Sequence, residues 1–270
     1  MENMSTPYRT VLTIAGSDSG GCAGIQADIK SISANGGYAA SVITATTAQN
    51  TKEVTDIHPI PVPHIIKQME AVFDDITFGA VKIGMLHSSE VIKAVQDTLG
   101  KYKVRNIVLD PVMIATSGDK LITNDALKSL KAFLPKVTLI TPNIPEAELL
   151  VGHDINLKNL ESSVKELGEI YKVSVLLKGG HLEFTDTMTD ALYNYKSKKI
   201  HLIHNKAIDT INTHGTGCSL SSSIATYMSL GFSLEDATVK GCNYLNEAIV
   251  KGKEKMLGKG HGPVNHFGLT

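Results

Sequence analysis

TVLTIA (Thr10–Ala15) followed by GSDSGGCAGIQAD (Gly16–Asp28) decides the fold. The first six residues are apolar or β-branched and uncharged, as a strand buried on both faces should be. The glycine-rich run is a turn whose backbone can approach a ligand closely, and Asp28 falls on the first turns of the helix that follows. Strand, turn and helix form the repeating unit of a parallel sheet, and the unit recurs along the chain. Further strands are predicted at Ser41–Ala45, Ala80–Ile83, Asn106–Asp110, Val137–Thr141 and Val173–Lys178. Apolar stripes at helical spacing lie between them: Ile65, Met69, Phe73; Val91, Val95, Leu99; Leu127, Leu130, Leu134. Ala191–Tyr195 and Ile200–His204 flank a Lys/Ser turn and read as a hairpin. Helices about Cys218–Leu230 and Leu234–Val250 close the pattern. With no linker and no internal repeat, the expectation is one α/β domain across residues 1–270. It should have a mostly parallel central sheet, helices on both faces and right-handed crossovers.

Composition removes several classes of function. Of 270 residues, 42% are hydrophobic and 20% charged, which is too apolar and too balanced for a disordered chain. No stretch approaches the ~20 uninterrupted apolar residues of a membrane helix, and Met1–Arg9 lacks the apolar segment of a signal peptide. The 26 basic residues are matched by 27 acidic ones. Arginine occurs only at Arg9 and Arg105, and tryptophan is absent, so neither nucleic acid nor membrane is an expected partner. Cys22, Cys218 and Cys242 are odd in number and form no C-x-x-C pair, which suits a reducing, cytoplasmic setting. Ten histidines show no metal-binding spacing; His201 and His204, three apart in a strand, should face opposite ways.

In open parallel sheets ligands bind beyond the carboxyl ends of the strands, and here the polar residues and glycines collect at those ends. Gly16–Asp28 is neither a P-loop nor a G-x-G-x-x-G turn; alone it reads as a flexible strand–helix connection. Gln49 in Thr46–Thr51 offers an acceptor and a donor pair, which suits an aminopyrimidine or amide edge, or else is a solvated loop residue. Met85 after Ala80–Ile83 would pad a planar ring or fill the core. Asp110, ending its strand before Pro111 and Val112, is a Mg²⁺ or acid/base candidate. Asn143, Pro145 and Glu146 begin a helix, which capping alone would explain. Lys178 before Gly179-Gly180 places a cation beside a bendable backbone. Asn212-Thr213-His214-Gly215-Thr216-Gly217-Cys218 puts two glycines before a helix, a ready-made anion hole. Cys218 at that N-terminus is expected to have a lowered thiol pKa.

Together these segments resemble the ribokinase-like superfamily, and within it the hydroxymethylpyrimidine/phosphomethylpyrimidine kinases of thiamin biosynthesis. The resembling stretches are TIAGSDSGGCAGIQADIK (Thr13–Lys30), AQNT (Ala48–Thr51), KIGML (Lys82–Leu86), LDPVMIATSGDKL (Leu109–Leu121), TPNIPEAELL (Thr141–Leu150), LKGGH (Leu177–His181), NTHGTGCSLSSSI (Asn212–Ile224) and GHGPVNHF (Gly260–Phe267). They occur in family order over essentially the whole chain. The resemblance implies a ribokinase-like fold and ATP-dependent phosphorylation of 4-amino-5-hydroxymethyl-2-methylpyrimidine, first at its alcohol and then at the monophosphate. It implies ATP and Mg²⁺ as cofactors, a small-molecule substrate and a homodimer.

By the same resemblance Gly16, Asp28, Gln49, Met85 and Val112 form the pyrimidine pocket. Gln49 reads the amino edge, and Asp28 reads the alcohol or a ring nitrogen. Gly215, Gly217 and Cys218 form the anion hole, with cysteine where sugar kinases of the superfamily carry an aspartate base. Asp110 and Glu146 serve Mg²⁺; Asn143, Glu146 and Lys178 serve ATP. Cys22 stands where many relatives have glycine, and Cys242 near where relatives often have a lysine. Two other readings compete. A pyridoxal or pyridoxine kinase would use the same scaffold, against which Gln49-Asn50-Thr51 weighs. A non-catalytic pyrimidine sensor could have lost Asp110, Glu146, Lys178 or the glycine loop, and all are intact.

Overall fold

The computed structural model describes residues 7–113, 123–180 and 186–268. Parts of two resembling stretches, Ile114–Leu121 and His181, lie outside the described residues. In chain order the elements begin with β1 (Thr10–Asp18), α1 (Gly24–Ala34), β2 (Tyr38–Gln49), β3 (Val54–Pro59), α2 (Val62–Phe73) and β4 (Ala80–Ile83). There follow α3 (Ser89–Lys101), β5 (Ile107–Leu109), α4 (Asn124–Phe133), β6 (Leu139–Ile140), α5 (Ile144–Val151), α6 (Leu160–Tyr171) and β7 (Ser174–Leu177). The chain ends with β8 (Thr187–Asn194), β9 (Lys199–Lys206), α7 (Thr216–Ser229) and α8 (Leu234–Gly252).

All the strands join one sheet in the order β3-β2-β1-β4-β5-β6-β7-β8-β9. The five pairings from β2 through β7 are parallel; β3, β8 and β9 add antiparallel edges. The expected mostly parallel sheet is therefore present. Its strands alternate between two cores, because successive side chains point to opposite faces. Leu12, Ile14, Val81, Ile83, Leu109 and Ile140 face the layer of α2 to α6, with Ile65, Val91, Leu130 and Val164. Val11, Ala80, Val108, Leu139 and Leu176 face α1, α7 and α8, with Ile32, Leu220, Ile224 and Ala237. Side-chain caps start the helices where polar residues interrupt the apolar pattern: Ser88 for α3, Thr123 for α4 and Ser233 for α8.

Several boundaries differ from the sequence expectation. β1 runs three residues beyond Ala15, and β2 extends well past Ser41–Ala45 on both sides. β5, β6 and β7 are shorter than expected, each losing its end residues. β3 was not expected at all. Every one of its residues is exposed, so it carries no apolar signal; pairing with β2 alone makes it a strand. β2 lies to one side of β1 and β4 to the other, so the chain reverses direction across the sheet at β1. A crevice opens at the carboxyl ends there.

Candidate functional site

That crevice is a cavity of about 1280 Å³ whose walls come from the loops after β1, β2, β4, β5, β6 and β7 and from the start of α7. Gly16, Gln49, Met85, Val112, Asp110, Asn143, Glu146, Lys178, Gly215, Gly217 and Cys218 all line it. Residues separated by up to two hundred positions are thus brought together by parallel strands that end on one side. Gly16 and Met85 touch: a Cβ on Gly16 would stand 3.2 Å from the Met85 methyl. Two carboxylate oxygens of Asp18, unremarked in the sequence, organise the first loop. Oδ1 accepts from the Gly20 N–H at 2.7 Å, and Oδ2 from the N–H groups of Cys22 and Ala23 at 2.9 and 2.8 Å.

At the other end of the cavity lies a charged cluster. Asp110 Oδ1 accepts from Thr141 Oγ1 at 2.9 Å and from Lys178 Nζ at 3.1 Å. Its other oxygen faces Gly217, where a Cβ would stand 3.0 Å away and 3.3 Å from Lys178 Nζ. Glycine there lets the first turn of α7 approach both charges. Gly215 caps the helix with φ 80°, and a Cβ on it would strike the Cys22 carbonyl oxygen at 1.9 Å. Among the described residues no acceptor meets the N–H of Gly217 or Cys218. Both belong to the first turn, where a helix presents its unpaired donors and partial positive charge. The first turn of α7 and the Asp110–Lys178 pair therefore lie side by side.

Asn143 and Glu146 form a capping box at the start of α5. Asn143 Oδ1 accepts from the Glu146 N–H at 2.9 Å, and Glu146 Oε2 from the Asn143 N–H at 2.9 Å. Glu146 Oε1 also accepts from the Met113 N–H at 3.3 Å. Burial, aided by Asp110 and opposed by Lys178, pushes the Glu146 carboxyl up to about 7. For Lys178, burial works against the charge, but Asp110 and Glu146 outweigh it and the ammonium is held above its ordinary pKa.

A carboxyl raised on folding binds its proton more tightly in the folded state. Glu146 thus contributes stability that is full below its unfolded pKa and lost as pH rises through about 7. In nucleotide-free protein, wild type should lose on the order of 1–3 kcal/mol relative to Glu146→Gln between about pH 4.5 and 7.5. Urea midpoints at matched pH measure this difference; parallel curves for the two proteins would contradict it.

Two expectations need correction. Asp28 does not line the cavity. It is wholly buried, bonded to Lys82 Nζ through both oxygens at 2.7 and 2.8 Å, and it accepts further from Thr13 Oγ1 and Ser222 Oγ. With its lone pairs engaged behind the wall, Asp28 is not placed to read a substrate alcohol. The Cys218 thiol is the second. Burial pushes it up to about 11; Lys82 favours the thiolate, while Asp28 and Asp110 oppose it. Desolvation is the largest cause and the shift is upward, opposite to the expected lowering.

Lys82 was missed as a functional candidate, although a lysine inside the apolar run Ala80–Ile83 was a signal in plain view. His214 was missed too. Its Nε2 lies 3.0 Å from Gln49 Nε2, a pairing across 165 positions that no local pattern announces.

Known proteins resemble this chain in sequence and in fold. A hydroxymethylpyrimidine/phosphomethylpyrimidine kinase of Rhizobium meliloti is 44% identical over 262 residues, covering 95% of this chain and 96% of its own. The crystal structure of phosphomethylpyrimidine kinase from Clostridium difficile 630 superposes with a TM-score of 0.79 at 41% identity, over 89% of this chain and 99% of that one. A pyridoxal kinase from Staphylococcus aureus, solved with AMP-PCP and pyridoxal, gives a TM-score of 0.86 at 27% identity, over 97% and 95% of the two chains. Other curated relatives, named as bifunctional or multifunctional thiamine biosynthesis proteins, are longer, and the chain spans 53%, 35% and 34% of their lengths. A family model described as phosphomethylpyrimidine kinase matches residues 18–265, from the carboxylate that ties the first loop to the turns after α8. The chain belongs to the phosphomethylpyrimidine kinase family.

Proposed function

We propose that the protein phosphorylates 4-amino-5-hydroxymethyl-2-methylpyrimidine with ATP and then phosphorylates the monophosphate to the diphosphate, as a step of thiamin biosynthesis. The observation that carries this reading is the single cavity with an amide, Gln49, on one wall and an anion hole beside Asp110 and Lys178 on another. A planar ring held between Gly16, Met85 and Val112 would present its hydroxymethyl arm to the first turn of α7. Bound ATP would supply the phosphoryl group, and Mg²⁺ the charge that offsets it.

The residues fit both groups. Among the described residues no set of three or more His, Cys, Asp or Glu is placed to hold a metal ion. Asp110 and Glu146 are two carboxylates facing one space, which suits a cation that arrives with phosphates and waters. Lys178 and the N–H groups of Gly217 and Cys218 would hold developing negative charge. Such a transfer depends mainly on positioning and electrostatics. The neutral Cys218 thiol would orient the acceptor oxygen more than remove its proton.

The homodimer is an inference from the family resemblance, and the cytoplasmic setting one from the odd number and spacing of the cysteines. The three cysteines are free, two of them buried, which fits a reducing compartment. Among the described residues no helix is long and apolar enough to cross a membrane.

The deciding experiment is coupled ADP release with the pyrimidine alcohol, its monophosphate, pyridoxal and ribose. Turnover of both pyrimidines above pyridoxal supports the reading; preference for pyridoxal transfers the protein to the second one. Gln49→Leu sharpens the test. Leaving an amino edge unpaired in the pocket should cost about 1–3 kcal/mol, lowering kcat/KM on the pyrimidine far more than on pyridoxal. Equal loss on both would reject the recognition role.

A further inference from the structure

We infer that His214 is a positioning residue: it sets which end of the Gln49 amide faces a bound ring, and its protonation reverses that choice. The inference rests on the pyrimidine reading of Gln49 given above and is carried by a count of hydrogens. Gln49 Oε1 lies 3.0 Å from Thr47 Oγ1, and Gln49 Nε2 lies 3.0 Å from His214 Nε2. Thr47 Oγ1 is also 3.0 Å from the Ser17 carbonyl oxygen. A hydroxyl has one proton, so Thr47 can serve only one of its two acceptors at a time.

The His261 backbone carbonyl, which can only accept, is among the groups that act on the His214 ring. Gln49 Nε2, an amide nitrogen, only donates, so in the neutral ring His214 Nε2 is the lone pair and Nδ1 carries the proton. Gln49 accordingly holds its NH₂ toward His214 and its oxygen toward Thr47. Once His214 is protonated, Nε2 becomes a donor, and the two N–H groups would face each other. Half a turn of the amide restores every bond. His214 donates to Oε1, the NH₂ donates to Thr47 Oγ1, and Thr47 donates to the Ser17 carbonyl.

In the neutral arrangement Thr47 divides one proton between two acceptors; in the reversed one it serves Ser17 alone. The two also differ in what they offer the cavity. The remaining donor and acceptor exchange places, so an aminopyrimidine edge that matches one mismatches the other. The groups facing His214 are Asp18, from the end of β1, and the side chain and carbonyl of His261, from the turns after α8; its own N–H donates to the Gly262 carbonyl. Burial holds the ring below its ordinary pKa; Asp18 opposes this, the His261 ring adds to it, and the His261 carbonyl opposes it. The neutral arrangement therefore prevails at pH 7, and the reversal lies in mild acid.

Two measurements on the full chain test this. The first is an NMR titration of the His214 ring in wild type and Gln49→Glu. A carboxylate offers only acceptors, so the midpoint should rise by about one unit or more. An unchanged midpoint would show that ring and amide are not coupled and would overturn the inference. The second is equilibrium binding of the pyrimidine alcohol, without nucleotide, to wild type and His214→Gln. Glutamine keeps an acceptor near the ring position but does not titrate. The ligand's own ring titrates in both proteins, so the comparison isolates His214. Affinities should agree near neutrality, and wild type should weaken about tenfold more than His214→Gln in mild acid. Parallel profiles would overturn the role of His214. Failure of wild type to bind the pyrimidine at any pH would overturn the pyrimidine reading and with it the recognition role, whatever the titration shows.

Discussion

Lys82→Met should destabilise the protein by about 3–5 kcal/mol, although it removes a charge from a strand that is otherwise apolar. Lys82 and Asp28 are both fully inaccessible, paired at 2.7 Å between β4 and α1. For Lys82, burial disfavours the charge, but Asp28 overrides it and the ammonium is held well above its ordinary pKa. Methionine fills the same space yet leaves the Asp28 carboxylate facing only the hydroxyls of Thr13 and Ser222. The cost comes from that stranded charge, so Lys82→Met combined with Asp28→Asn should be clearly more stable than Lys82→Met alone. Urea unfolding of the four proteins closes the cycle. A loss under about 1 kcal/mol for Lys82→Met would show that water or another group already serves Asp28. The pair matters for the site because Lys82 is the group that most favours a Cys218 thiolate. The double variant, if stable, should therefore hold Cys218 even more firmly as a thiol.

The legibility of this molecule in its sequence follows the range of the interactions. Elements driven by burial were readable: Thr10–Ala15, Ala80–Ile83 and the stripe Val91, Val95, Leu99 report local apolar periodicity, and β1, β4 and α3 form there. The exposed strand β3 was unreadable because Val54–Pro59 is a strand only through its partner β2. The cavity-lining residues were legible as strand-end glycines and polar groups, since parallel topology delivers all such ends to one side. Their charge states were not. Asp28 looked available, and only the fold shows Lys82 reaching it from 54 positions away. Cys218 at a helix N-terminus suggested a thiolate, but desolvation is a property of everything packed around it and has no local signature.

The division of labour between Cys218 and its backbone follows from that desolvation. With a thiol pKa of about 11, the thiolate is a fraction of about 10⁻⁴ at pH 7. A base so rarely available contributes little to a loose, metaphosphate-like transfer. The N–H groups of Gly217 and Cys218 are present in every molecule, and Gly217 lies beside Asp110 and Lys178. Cys218→Ser, which keeps both N–H groups and a small polar side chain, should therefore retain kcat within about tenfold. Gly217→Pro removes one donor, and proline is tolerated in the first turn of a helix. That variant should lose about 10²–10³ in kcat, the usual cost of one donor to a developing oxyanion. Gly217→Ala separates the lost donor from crowding: it keeps the N–H but brings a methyl to 3.0 Å from Asp110. A kcat loss in the proline variant that exceeds the alanine variant is the part owed to the missing hydrogen bond. Circular dichroism and pyrimidine binding must stay intact for the comparison to count. If Cys218→Ser falls by about 10²–10⁴ and Cys218→Asp recovers part of it, the side chain is a base after all. The substrate alcohol would then have to lower the thiol pKa as it binds.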